Sequence, residues 1–196
     1  WPILRSIDRG GRVREDALVQ VALSVNPEGF GCTDEEWAAA MGAAWDGDVD
    51  TPEVLNVQQR AALAGAWNAV YVLSAVAGLE TSVLIDAEGT VFIDWGSPGL
   101  VPLRAHVGAL APFQVWVHTH PRFDAYWSGT DRQSLANGTG VLRKALVLGY
   151  NGVKQARNLG DEGDAGERIG GSPALNAWSQ EEPTPWPAAW PNEVMA

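Results

Sequence analysis

The sequence predicts an α+β domain with a helical N-terminal region and an extended C-terminal tail. Three observations predict it. A helix-capping signature and apolar residues at helical spacing dominate the first part of the chain. Two short apolar runs flank Ala87-Glu88-Gly89 and read as a β-hairpin. Beyond about Leu159 the chain turns Gly-rich and charged, then rich in Pro and Trp, which suits a linker and an extended segment. The expected organisation is a partly helical extension (1–53), a central domain (54–159) and a linker with tail (160–196).

Taken in order, Ala17 to Val25 is an apolar run that fits either a strand or a helix end. Thr33-Asp34-Glu35-Glu36 is a capping box, because a Thr oxygen and a Glu three residues on can satisfy free backbone N–H groups. A helix should follow to about Trp45 and stop at Asp46-Gly47-Asp48. Thr51-Pro52-Glu53 opens the next segment, and one long helix is expected from about Val57 to Ala77, with Gly78 as its stop. Ser82 to Asp86 and Thr90 to Trp95 are the hairpin strands. Leu103 to Leu110 reads as a short helix, and Gln114 to His118 as a strand that Pro121 ends. A further helix begins near Ser128 or Thr130, and Ala145 to Gly149 is another strand.

Composition narrows the function. Hydrophobic residues make up 46% and charged residues 19%, the balance of a globular chain. The net charge is −11 and the 13 basic residues are scattered, so a phosphate backbone would be repelled and nucleic acid is not an expected partner. The most apolar window, Ala61 to Leu79, is interrupted by Asn68, Ser74 and Gly, and no membrane span is expected. The lone cysteine, Cys32, cannot form an intrachain disulfide and reads as a small buried residue. Among ten Trp, Trp67, Trp95 and Trp116 lie in apolar patterns of the core, whereas Trp186 and Trp190 are expected to dock on something, an outside protein partner included. Composition leaves the compartment open between cytoplasm and virus particle.

Chemistry concentrates around two of the three histidines. His118 and His120 sit at a strand end, where alternate side chains share a face, with Cα atoms about 6–7 Å apart. Seven residues separate His120 from Ser128, and Asp131 follows three later. Two imidazoles and a carboxylate suit Zn²⁺ with a fourth position open to water. Neither Cys32 nor His106 has the spacing to close that position. Glu80, just before Val83-Leu84-Ile85, is placed to act as general base.

The run His118-Thr119-His120-Pro121 to Ser128-Gly129-Thr130-Asp131 resembles the signature of the JAMM (MPN-domain) zinc metalloproteases, an upstream Glu, then His-x-His, seven residues and Ser-x-x-Asp. The resemblance covers roughly residues 54–155. It implies a mixed β-sheet flanked by helices, with cytidine-deaminase-like layering. It also implies zinc on His118, His120 and Asp131, Glu80 as general base and acid, and Ser128 supporting the oxyanion. The implied reaction is hydrolysis of a peptide or isopeptide bond in a protein or peptide substrate, ubiquitin-like proteins included.

Each residue also has a plainer reading. The two histidines can be hydrogen-bonded residues at a strand end, and Ser128 with Asp131 can simply cap a helix. Glu80 can be solvated after a helix end, while its rival Glu88 belongs to the hairpin turn and should face water. His106 reads as a surface or core residue. The alternative function is a structural or assembly component, for example of a virus particle or tail, that retains a metal-binding domain and wraps neighbours with its N-terminal region and tail.

Overall fold

The computed structural model describes residues 12–160 and 166–186. Five α-helices and five strands fill the described residues. The first helix, α1 (Arg12–Leu23), resolves the run ending at Val25 as helical. The capping box then works as expected: Thr33 accepts from the Glu36 N–H, Glu36 accepts from the Thr33 N–H, and α2 (Asp34–Asp46) follows until Gly47 at φ 85°.

The single helix expected over Val57 to Ala77 is two helices, α3 (Pro52–Leu63) and α4 (Trp67–Ala77). Gly65 sits at φ 67°, a left-handed conformation that costs other residues sterically, and it turns the chain between them. The Ala66 N–H reaches back to the Ala61 carbonyl at 2.8 Å. Both helices bury apolar faces, so their combined spacing imitates one longer helix.

Strands β1 (Thr81–Ile85) and β2 (Val91–Trp95) form the hairpin. The helix expected over Leu103 to Leu110 is absent. Its backbone is committed elsewhere: Leu110 receives the Ala87 N–H at 2.8 Å and donates to Asp86 Oδ2 at 3.1 Å, and Gly108 turns at φ 89°. Then come β3 (Val115–Thr119), α5 (Gly129–Gly138), β4 (Lys144–Gly149) and β5 (Gly152–Arg157). The last strand, half polar in sequence, had not been expected; its antiparallel register with β4 forms it.

The sheet runs β2-β1-β3-β4-β5 and is mixed, with β3 and β4 parallel and the other pairs antiparallel. Strand side chains alternate between two cores. Val83, Ile85, Val117, Leu146 and Leu148 face the N-terminal helices, which share one core down to Val21 and Phe30. Leu84, Trp116, Ala145 and Val147 face Leu135 of α5 and Trp178. Cys32 is buried in the first core.

The C-terminal segment lies against its own chain. Bridges Asn158 to Trp178 and Val153 to Thr184 carry it along the outer edge of β5. Glu181 accepts from Gln155 at 3.0 Å and Arg157 at 3.2 Å, and the buried Lys154 donates to its carbonyl at 2.6 Å. Trp186 stacks on Tyr71 of α4 at 5.4 Å and donates to the Gly149 carbonyl. The docking expected of Trp186 is therefore on its own domain, while Trp190 lies outside the described residues. Among the described residues no helix is long and apolar enough to cross a membrane.

Candidate metal centre

The site forms where β3 runs out toward α5. His118 pairs with Ser82 on β1 and Val147 on β4, in the middle of the sheet. His120 lies one residue past the strand, yet its N–H still bonds the Leu148 carbonyl at 2.7 Å. The two imidazoles therefore share the face that looks at α5, with ring centroids 5.1 Å apart.

Asp131 arrives from the other side by a local rule. Ser128 caps α5: its hydroxyl accepts from the Asp131 N–H at 3.2 Å, and the Asp131 carboxylate accepts from the Ser128 N–H at 2.8 Å. This box fixes the carboxylate against the histidines. Asp131 Oδ1 lies 3.0 Å from His118 Nε2, and Oδ2 lies 3.4 Å from His120 Nε2.

One ligand atom from each of the three residues falls within 4.8 Å of the others. A tetrahedral zinc with bonds near 2.0–2.1 Å would separate its ligand atoms by about 3.3 Å. The chemistry of the donors fits as well. His118 is fully buried, and neither ring nitrogen has an aligned hydrogen-bond partner, although Asp131 is close. A buried imidazole without partners is costly, and a cation at the convergence point would give Nε2 one. His120 faces the Asp124 carbonyl through Nδ1 at 3.2 Å, which favours the proton on Nδ1 and leaves the Nε2 lone pair free.

Electrostatics sets the protonation states. Burial pushes the His118 imidazole down, against the pull of Asp131, and keeps it neutral as a ligand must be. Burial pushes His120 down too, but Asp131, Glu80 and the Asp124 carbonyl outweigh it and raise the group. Burial would raise Asp131, yet His118, His120 and the Ser128 side chain hold its carboxyl far below the usual range.

Glu80 links α4 to β1 and opens into the same cavity as His120, Ser128 and Asp131. Its backbone bonds Ser97 and Gly96, and its side chain shares the cavity wall with Val101. Only 6% of the residue is exposed. Burial, helped by the charge on Asp131, pushes its pKa up to about 7, against the opposing influence of His120 and Val101. A carboxyl poised there can take and return a proton near neutrality.

All five residues named from the sequence thus meet at one site. Glu88 is exposed in the hairpin turn, and His106 lies apart, half-buried, 2.8 Å from Asp94 and stacked on Phe92. Two supports escaped the sequence reading. Trp116 stacks on the His118 ring at 4.5 Å and donates its indole N–H to Ser82; its position two residues before His118, on the same strand face, was the available signal. Gly96 lets the following loop fold back, since a Cβ there would meet the Leu100 carbonyl oxygen at 2.2 Å. That fold brings Val101 into the cavity wall beside Glu80. No family model, curated protein or solved structure matches this chain.

Proposed function

We propose that the protein is a zinc-dependent hydrolase that cleaves a peptide or isopeptide bond, of the kind that its JAMM-like motif implies. The observation that supports this reading most is the convergence of His118, His120 and Asp131 on one point beside a second, protonatable carboxyl, Glu80. A zinc ion held there would act as a Lewis acid, acidifying water and polarising the scissile carbonyl.

The chain supplies the rest. Glu80 accepts a proton from the attacking water and returns it to the leaving amine. Ser128 spends an oxygen lone pair on the Asp131 N–H, and its hydroxyl lies beside the Asp131 carboxylate in the wall of the cavity. From there the hydroxyl can turn its proton toward a developing oxyanion. Leu100, Phe123 and Tyr126 form an apolar rim around the cavity against which substrate can lie. The assembly reading drew on the Trp- and Pro-rich tail and on the N-terminal region; up to Trp186 the tail is engaged by its own domain.

Elemental mass spectrometry of protein purified without chelator tests the proposal. About one zinc per chain, lost in His118→Ala and Asp131→Ala, is the expected result. A peptide and isopeptide screen then follows, in which Glu80→Gln lowers kcat by about 10²-fold or more. A parent protein without stoichiometric metal overturns the reading.

A further inference from the structure

Between the two histidines lies Thr119, which the motif leaves unspecified. Its side chain points away from them, into the helical layer. There it is fully buried, with its Oγ1 2.5 Å from the hydroxyl of Ser74 on α4. Thr119 Oγ1 also accepts the Thr81 N–H at 2.9 Å, and Ser74 Oγ donates to the Leu79 carbonyl at 2.6 Å.

The two ends of this chain fix its direction. The Thr81 amide can only donate and the Leu79 carbonyl can only accept. Each hydroxyl has one proton. The Thr81 N–H therefore donates to Thr119, Thr119 donates to Ser74, and Ser74 donates to Leu79. Leu79 and Thr81 are the two neighbours of Glu80. The hydroxyl pair thus closes a ring around the backbone of Glu80, and one member of that ring stands between His118 and His120. Gln58 of α3 extends the network, donating to Thr81 Oγ1 at 2.7 Å, and it too is fully buried.

We infer that Thr119 and Ser74 are positioning residues that hold Glu80 and the histidine pair in a single register. Three elements converge here: the C-terminal turn of α4, the entry to β1 and the end of β3. No direct side-chain bond joins Glu80 to His118 among the described residues, so their relative placement passes through the backbone that this ring ties together. Thr119→Val puts a methyl where one hydroxyl stood and Ser74→Ala removes the other, so each breaks the ring while changing the volume little. The inference rests on the metal-centre reading proposed above.

Cobalt(II) binding and amide exchange test it together in full-length protein. In Thr119→Val and Ser74→Ala, cobalt affinity is expected to fall about tenfold with a changed visible absorption spectrum. Exchange of the Thr81 amide should quicken in both. Thr119→Ser, which keeps the hydroxyl, should restore the parent behaviour. Met41→Ala, in the buried face of α2 away from the site, should lower stability and leave cobalt affinity and spectrum as in the parent. Parent-like cobalt binding in Thr119→Val or, should that variant not fold, in Ser74→Ala overturns the inference even if amide exchange changes. So does an equal affinity loss in Met41→Ala. A parent that takes up no cobalt overturns the metal-centre reading itself, and this inference with it.

Discussion

Ser128 and Asp131 bond each other twice, Ser128 N–H to the carboxylate at 2.8 Å and Asp131 N–H to the Ser128 hydroxyl at 3.2 Å. One capping box therefore starts α5 and aims a candidate metal ligand. The two tasks separate by substitution. Asp131→Asn keeps an oxygen for the Ser128 N–H and loses the charge. It should keep the parent's far-ultraviolet circular dichroism and lose bound metal. Loss of helical signal equal to the loss of metal would show that the cap alone depended on the carboxylate.

Ser128→Ala makes the converse cut. It removes the acceptor for the Asp131 N–H and should cost about 1 kcal/mol of stability, the usual value of an N-cap. Metal should still bind, because His118, His120 and Asp131 remain. Urea titration read beside zinc content checks both halves; unchanged stability would mean that the cap bond carries no net weight.

Glu80 gives the metal-free protein a pH signature. Its carboxyl is raised from 4.5 to about 7 in the folded state, chiefly by burial. A raised pKa favours the protonated folded form. The associated stability is present below the unfolded value and is lost as pH rises through about 7. Metal-stripped parent should therefore lose urea resistance across that window, and Glu80→Gln, which cannot ionise, should lose less. Parallel pH profiles for parent and variant would place the carboxyl in water.

The features legible in the sequence were those set by near neighbours. Strand alternation puts His118 and His120 on one face, and the three-residue offset from Ser128 to Asp131 is a capping rule, so each pair was legible locally, whereas joining the pairs to each other and to Glu80 rested on the resemblance to the JAMM signature. What escaped depends on distant partners. The break at Gly65 hides because α3 and α4 bury faces with similar spacing. Residues Leu103 to Leu110 have helical character, but Leu110 gives its N–H to Asp86 and its carbonyl to Ala87. The ring through Ser74 and Thr119 joins positions 45 residues apart, which no local pattern announces.

The segment after β5 supplies the last prediction. Trp178 is fully buried against the sheet face that carries His118, and its indole N–H bonds Thr139 at 3.0 Å. It shares that core with Trp116, the ring on which His118 stacks, and with Leu135 of α5. Trp178→Ala should therefore cost about 3–5 kcal/mol, as for other large aromatic truncations in cores. Because the cavity would open under α5, metal affinity should fall along with stability. A chain ended after Leu159 removes Ile169, Leu175 and Trp178 from the same core and should lose cooperative unfolding. Urea titration of both variants decides the matter: a truncated chain that keeps the parent's midpoint would make the segment an appendage, whereas loss of the transition would make it the cover of the sheet on which the candidate metal ligands stand.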